Sequence, residues 1–386
     1  MKAKKYYCLS SLIVLFVLNN QASFAIINCE YPDDTILREI IDEIQVNQSN
    51  ILAIDYTTSL PAHMPTNSDQ FEIFTWDKPV IKRIIIVKVD PANTKEAIDF
   101  IDNIQFSNLE PVDNPIHINL SCGARRIEAS HKKWDVTMVD GKKFAMKGYN
   151  IKVVLYIPKS IELHLKSNLS KISLGDLSNK AVLDLRSVRL KANSIKELTL
   201  KATNSKIQIN ELTQANIEAK HCEINSSSIH QLQIRKSSFT EYNFDLVEQL
   251  DIDDSKEDTY TIKELNEIQC SHSLFSNYYI NRLNKKLSIT SMNGDVIIDE
   301  LQPDFSEIKL NNSFSIIKIG SAKTPNFLLN THTKLTQYYF DDGIKMIEMK
   351  EESGYRWGRY FKGSKNSSPT ISIDCKQCEV HFMSGI

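Results

Sequence analysis

Along residues 160–322 one apolar position returns at Leu177, Ile195, Leu212, Ile229, Leu246, Leu265, Leu283 and Leu301, at intervals of 18, 17, 17, 17, 19, 18 and 18. An apolar-x-apolar pair stands 12 to 15 residues before each anchor: Leu163/Leu165, Ala181/Leu183, Leu198/Leu200, Ala215/Ile217, Leu232/Ile234, Leu250/Ile252, Ile268/Cys270 and Leu287/Ile289. A third pair, five and three residues upstream, is apolar at Ile172/Leu174, Leu190/Ala192, Ile207/Ile209, Tyr260/Ile262, Tyr278/Ile280 and Val296/Ile298. Alternation inside a unit is the two-residue period of a strand with one buried face. A unit of this length holds two or three short strands and their bends. It cannot close a core alone, so units must stack. The pattern predicts an all-β chain wound as a single-stranded parallel β-solenoid (β-helix) of about eight or nine coils, a rod on the order of 40 Å long at a strand spacing of about 4.8 Å. An antiparallel sandwich also spaces its strands closely, but it gives no reason for eight units in one register.

The flanks read differently. Ile36, Ile40, Ile41 and Ile44 have helical spacing, and residues 50–56 suit a strand. Two strands are expected on either side of a turn at Asp77-Lys78-Pro79. Thr94 to Ile104, with Ala97, Ile98, Ile101 and Ile104 apolar, predicts a short amphipathic helix. His117 to Cys122, Trp134 to Met138 and Tyr149 to Ile157 read as strands, and Pro158 ends the last. From Lys323 the register lapses. Leu335 to Phe340 and Ile344 to Met349 predict a hairpin about Asp341-Asp342-Gly343, and Thr370 to Phe382 a final strand pair. The expected organisation is a leader at 1–25, an N-terminal β-rich region with one short helix at 26–159, repeats at 160–322 and a C-terminal β cap at 323–386, since an open end exposes unpaired backbone.

Trp76-Asp77-Lys78-Pro79 before an apolar strand, Tyr156-Ile157-Pro158 leading into the repeats, the Asn293-Gly294-Asp295 turn and the ending Ile371-Ser372-Ile373-Asp374-Cys375 together resemble the exported putative-adhesin family of bacteria. The resemblance spans about Ile36 to Phe382. It implies a β-solenoid, a strand rather than a helix over Ile36 to Val46, and a closing strand at Ile371 to Cys375. It brings no catalytic residues. Most repeats depart from it in lacking a Gly-Asp turn and using Ser, Asn or Lys at their bends, as in Ser167-Asn168, Ser187, Thr203-Asn204-Ser205, Ser237-Ser238, Ser255 and Asn311-Asn312-Ser313.

Composition changes this picture little. Of 386 residues 41% are apolar, which argues against wholesale disorder. A net charge of -2 gives no electrostatic case for nucleic acid. Lys2, Lys4 and Lys5, the apolar run Cys8 to Leu18 and the small residues of Ala22-Ser23-Phe24-Ala25 read as a secretory signal peptide, too short for a membrane span. The expected location is therefore exported: periplasm, cell surface or extracellular, with no stable span once the leader is removed. Six cysteines then remain, Cys29, Cys122, Cys222, Cys270, Cys375 and Cys378, in a compartment that permits disulfides. Cys270 falls in a core column and reads as a buried free thiol.

Candidate chemistry is sparse. Arg356, Trp357, Arg359, Tyr360 and Lys362 form an aromatic, basic stretch suited to a sugar or an anionic surface, and equally to a cap over a core. Cys375 and Cys378 with His381 have short zinc-ligand spacing, but a fourth ligand is missing. A local disulfide or redox pair and unpaired or distantly bonded cysteines stay open beside it. Asp251, Asp253, Asp254, Glu257 and Asp258 lack the glycine of a calcium loop and read as a solvated face. Asp184, Arg186 and Arg189 near Lys201 and Lys220 are the closest approach to an enzymatic cluster. No catalytic residue, metal ligand or cofactor is assigned. The expectation is a non-enzymatic, adhesin-like or scaffolding surface of the cell envelope, its partner a surface glycan or envelope protein. The alternatives are a polysaccharide-processing enzyme and a subunit that self-associates end to end.

Overall fold

The computed structural model describes residues 36–46, 51–57, 70–91, 94–104, 115–119, 124–129, 134–138, 140–324, 326–364 and 369–383. The expected leader at 1–25, Cys29 and Cys122 lie outside them. The described residues are strand nearly throughout, with one helix among them, so the chain is all-β. Contacts divide it into two units, the described parts of Met1–Pro158 with Leu169–Ser173, and Lys159–Asn168 with Leu174–Ile386.

In the first unit Val80–Pro91 pairs antiparallel with Ile36–Gln45 and with Lys143–Pro158. Ile36–Gln45 is thus a strand, as the resemblance implied and its helical spacing did not. Pairing decides: Ile40 lies opposite Ile85 and Ile44 opposite Ile81. Gln70–Trp76 is a parallel partner of Lys143–Pro158, so both strands beside Asp77-Lys78-Pro79 share that partner. Helix Thr94–Asn103 buries Ala97, Phe100 and Ile101. The inward member is Phe100 rather than Ile98, which is only half-buried. Arg83, 2% exposed, is held by Asp42 at 2.7 Å.

In the second unit each segment pairs in parallel with the next, residue on residue. Leu163, Ala181, Leu198, Ala215, Leu232, Leu250, Ile268, Leu287 and Ile308 are successive partners, and so are the residues two further on, from Leu165 to Leu310. All are buried. The anchor column differs from the expectation at one place. Ile229 pairs with Val247, and Val247 with Leu265; Leu246 is only half-buried. With Val247 the intervals become 18, 17, 17, 18, 18, 18 and 18, which keeps every anchor on the inner face.

Each segment turns through a residue of positive φ: Ser187, Asn204, His221, Phe239, Glu257, Phe275, Asn293 and Phe314 all lie between 50° and 57°. The N–H of each donates to a carbonyl of the following segment, as in Phe239 to Lys256, Glu257 to Leu274 and Phe275 to Met292. Beside these bends a row of serines faces inward. Ser237, Ser255, Ser273 and Ser291 are buried register partners. Tyr242, Tyr260 and Tyr278 stack with ring centroids 4.8 and 4.9 Å apart, and each hydroxyl meets the serine of its own bend at 2.9 to 3.1 Å.

The chain's end does not lie at the end of the ladder. Thr370–Lys376 pairs in parallel with Glu307–Ser313 on one side and Phe327–Lys334 on the other. Glu379–Met383 is inserted in the same way between Ile316–Gly320 and Gln337–Tyr339. The strand expected to close the fold is therefore internal, and the parallel ladder continues past Lys323 with its segments out of sequence order. The hairpin expected about Asp341-Asp342-Gly343 is not formed, because Gln337–Tyr339 is taken by Glu379–Met383. Ile344–Glu352 instead pairs antiparallel with Tyr355–Lys362 through Ser353 and Gly354, both at positive φ. Tyr355–Lys362 covers the outer edge of Phe327–Lys334.

Candidate ligand-binding face

The aromatic, basic stretch is one strand, so its side chains alternate between two faces. Tyr360 is buried, 6% exposed, and packs on Phe340 at 4.8 Å; burial raises its phenol above the usual range. It supports the face rather than lining it, and this separates it from the other residues expected to bind. Gly358 points the same way. A Cβ there would lie 2.5 Å from the Tyr360 ring and 2.7 Å from the Thr331 hydroxyl. Arg356 is exposed, 3.6 Å from Glu351.

Trp357 and Arg359 face outward and end two cross-strand rows. Thr290, Asn311, Asp374, His332 and Trp357 are successive register partners on five strands; Ser288, Lys309, Ser372, Asn330 and Arg359 are the row beside them. The inserted C-terminal strand supplies the centre of both. His332 packs against both Trp357, at 5.0 Å, and Tyr355, at 5.1 Å, and its Nδ1 lies 3.1 Å from Asp374. These rows, apart from Arg359, line a shallow groove of about 470 Å³. It combines an exposed indole, a carboxylate, an imidazole, a lysine and five hydroxyl or amide side chains. That is the donor set of a polar ligand with apolar patches, such as a sugar.

The other candidates come apart. Asp184, Arg186, Arg189, Lys201 and Lys220 are all exposed. Lys166, Asp184, Lys201, Glu218 and Lys236 are register partners in one row of alternating sign, the arrangement that stabilises neighbouring strands. Cys375 and Cys378 are joined as a disulfide across the bend at Gln377, so no thiolate pair faces His381, which contacts Glu379 at 2.6 Å. Cys222 and Cys270 are buried free thiols, and burial pushes Cys270 up to about 11. Among the described residues no group of three His, Cys, Asp or Glu side chains is placed to hold a metal ion.

The acidic run is not uniformly solvated. Asp253 is exposed and accepts from Gln233, whereas Asp258 is 1% exposed. Its carboxylate accepts from the Thr240 N–H at 2.8 Å and the Ser255 hydroxyl at 2.7 Å, and Ser255 meets Ser276 at 2.9 Å. Burial raises its pKa above the ordinary carboxylate value.

The bends carry a second feature. Phe239, Phe275 and Phe314 hold the left-handed conformation with 43%, 48% and 49% of their surface exposed. A bulky side chain there costs roughly 1–2 kcal/mol; Phe239 stacks on His221 at 4.9 Å.

No family model matches this chain, and no curated protein does. A solved structure, described as a putative cell adhesion protein from Clostridium sporogenes, is similar over 90% of this chain and 98% of its own, at 9% identity and a TM-score of 0.22. A likeness at that level carries no argument about this chain. Among the described residues no helix is long and apolar enough to cross a membrane.

Proposed function

We propose that this protein is an exported, non-enzymatic parallel β-solenoid of the cell envelope, which binds a surface glycan or envelope protein in the manner of an adhesin or scaffold. The observation that carries the reading is the pair of cross-strand rows ending at Trp357 and Arg359, built across five strands of one ladder. Parallel pairing at a 17- to 18-residue repeat supports the solenoid. The basic-apolar-small leader pattern at 1–25 supports export. The resemblance carried by Trp76-Asp77-Lys78-Pro79 supports the adhesin-like role.

End-to-end assembly is the weaker reading, because the hairpin Ile344–Glu352 and Tyr355–Lys362 covers one ladder edge. Its outer strand carries Lys345, Glu348, Lys350, Glu351 and Glu352, charges that discourage a further strand from adding. The test is fractionation of the producing cell, followed by capture of envelope glycans and proteins on wild-type protein and on Trp357→Ala/Arg359→Ala. The reading expects the chain in an exported fraction and capture reduced at least tenfold by the double variant. Retention in the cytoplasm, or capture unchanged by the variant, would overturn it.

A further inference from the structure

The bends of the second unit form one line, and its order is visible only in the fold. Each bend N–H donates to the segment that follows it in the ladder: Phe239 to Lys256, Glu257 to Leu274, Phe275 to Met292, Asn293 to Ser313, Phe314 to Lys376 and Gln377 to Lys334. The spatial sequence of bend residues is therefore Phe239, Glu257, Phe275, Asn293, Phe314, Gln377, Leu335, with Gln377 ahead of Leu335 because the C-terminal strand is inserted. All seven have φ between 50° and 57°. Large apolar and polar residues alternate over these seven positions; the three bends before them, Ser187, Asn204 and His221, are all polar, and His221 stacks on Phe239 at 4.9 Å. In chain order the apolar members are 36, 39 and 21 residues apart, and no period is apparent.

Three observations point to a ligand. Phe239, Phe275, Phe314 and Leu335 are 43%, 48%, 49% and 72% exposed, so core packing does not account for them. Each occupies a left-handed position that Gly or Asn takes with less strain; Asn204 and Asn293 do so in neighbouring segments. A groove of about 470 Å³ opens beside Phe275, lined also by Glu257, Thr259 and Asn277, so polar groups accompany the ring. The rings recur every second strand, at about 9.5 Å, which is close to the disaccharide repeat of an extended β-linked glycan. A ring under the apolar face of every second sugar, with a carboxylate or amide between rings to take hydroxyl groups, is the recognition this alternation fits. A continuous apolar partner surface would have no use for Glu257, Asn293 and Gln377.

We infer that this ridge binds an extended, neutral, β-linked polysaccharide, one aromatic ring per disaccharide. The surface is distinct from the Trp357 face. The test uses the full chain with cellohexaose and chitohexaose, and with their disaccharides, in titration calorimetry. The variant is Phe239→Asn/Phe275→Asn/Phe314→Asn. Asn tolerates the left-handed bend, so Tm is expected to hold or rise, which separates binding from folding. At least one hexasaccharide is expected to bind at least tenfold more tightly than its disaccharide, and to lose at least tenfold in affinity in the triple variant. Absence of binding to both series at millimolar concentration, or affinity unchanged in the triple variant, would overturn the inference. So would a concentration-dependent mass of the wild type that the triple variant abolishes, because a second copy would then be the occupant.

Discussion

Tyr260 stacks on Tyr242, ring centroids 4.8 Å apart and planes 2° from parallel. Tyr278 continues the stack on the other side at 4.9 Å and 2°. Parallel rings at this separation lie in the stacked range aromatic pairs favour. The ladder sets the separation, because residues 18 apart are held at strand spacing. Removing the middle ring opens a cavity between two others. Tyr260→Ala is expected to cost about 3–5 kcal/mol, while Tyr260→Phe, which loses only the 3.1 Å contact with Ser255, costs about 1 kcal/mol. Denaturant unfolding of the two variants checks both values.

Val247 and Leu246 offer a sharper test of register. Val247 is fully buried between Ile229 and Leu265; Leu246 stands beside it, half exposed. Val247→Asp places an unpaired charge in the core and should destabilise by several kcal/mol. Leu246→Asp should cost less than about 1 kcal/mol. Equal thermal shifts in the two variants would contradict the pairing.

Asp258 gives the fold a pH dependence of known sign. Its folded pKa is raised, chiefly by burial, so the folded state holds the proton more tightly than the unfolded chain. Its contribution is fully present below the ordinary carboxylate range and is lost as pH rises through the folded value. Asp258→Asn keeps an oxygen acceptor for the Thr240 N–H and removes the titration. Chemical unfolding from pH 4 to 8 should show wild type losing stability relative to the variant as pH rises. A constant difference, or one of opposite sign, would count against a buried, titrating carboxyl.

Legibility in the sequence followed local alternation and failed where pairing partners are distant. The columns from Leu163 to Leu287 were readable because each strand repeats the same two-residue pattern. The misplacement at Leu246 had a consequence: five and three residues before Leu246 stand Glu241 and Asn243, whereas before Val247 they are Tyr242 and Phe244. The first tyrosine of the stack was hidden by one residue of slip. The insertion of Thr370–Lys376 between Glu307–Ser313 and Phe327–Lys334 left no local trace, because sequence order and ladder order diverge there. For the same reason Trp357 and Arg359 were recognised as candidates without Asp374 and Lys309, which join their rows only through that strand. The buried state of Asp258 was equally hidden, since its partners Thr240 and Ser276 lie 18 residues away on either side.

Residue-over-residue parallel stacking underlies every site described above, and a cysteine pair tests it most directly. Lys191 and Gln208 are exposed register partners on adjacent strands, and Asn225 is the next in the row. Neighbouring parallel strands lie about 4.8 Å apart, within the Cα separation of roughly 4.4–6.8 Å that a disulfide spans; two strands do not. Mild oxidation of Lys191→Cys/Gln208→Cys should give an intramolecular bridge by peptide mass mapping, and Lys191→Cys/Asn225→Cys should give none. Bridging in the second pair but not the first, or in neither, would contradict the stack.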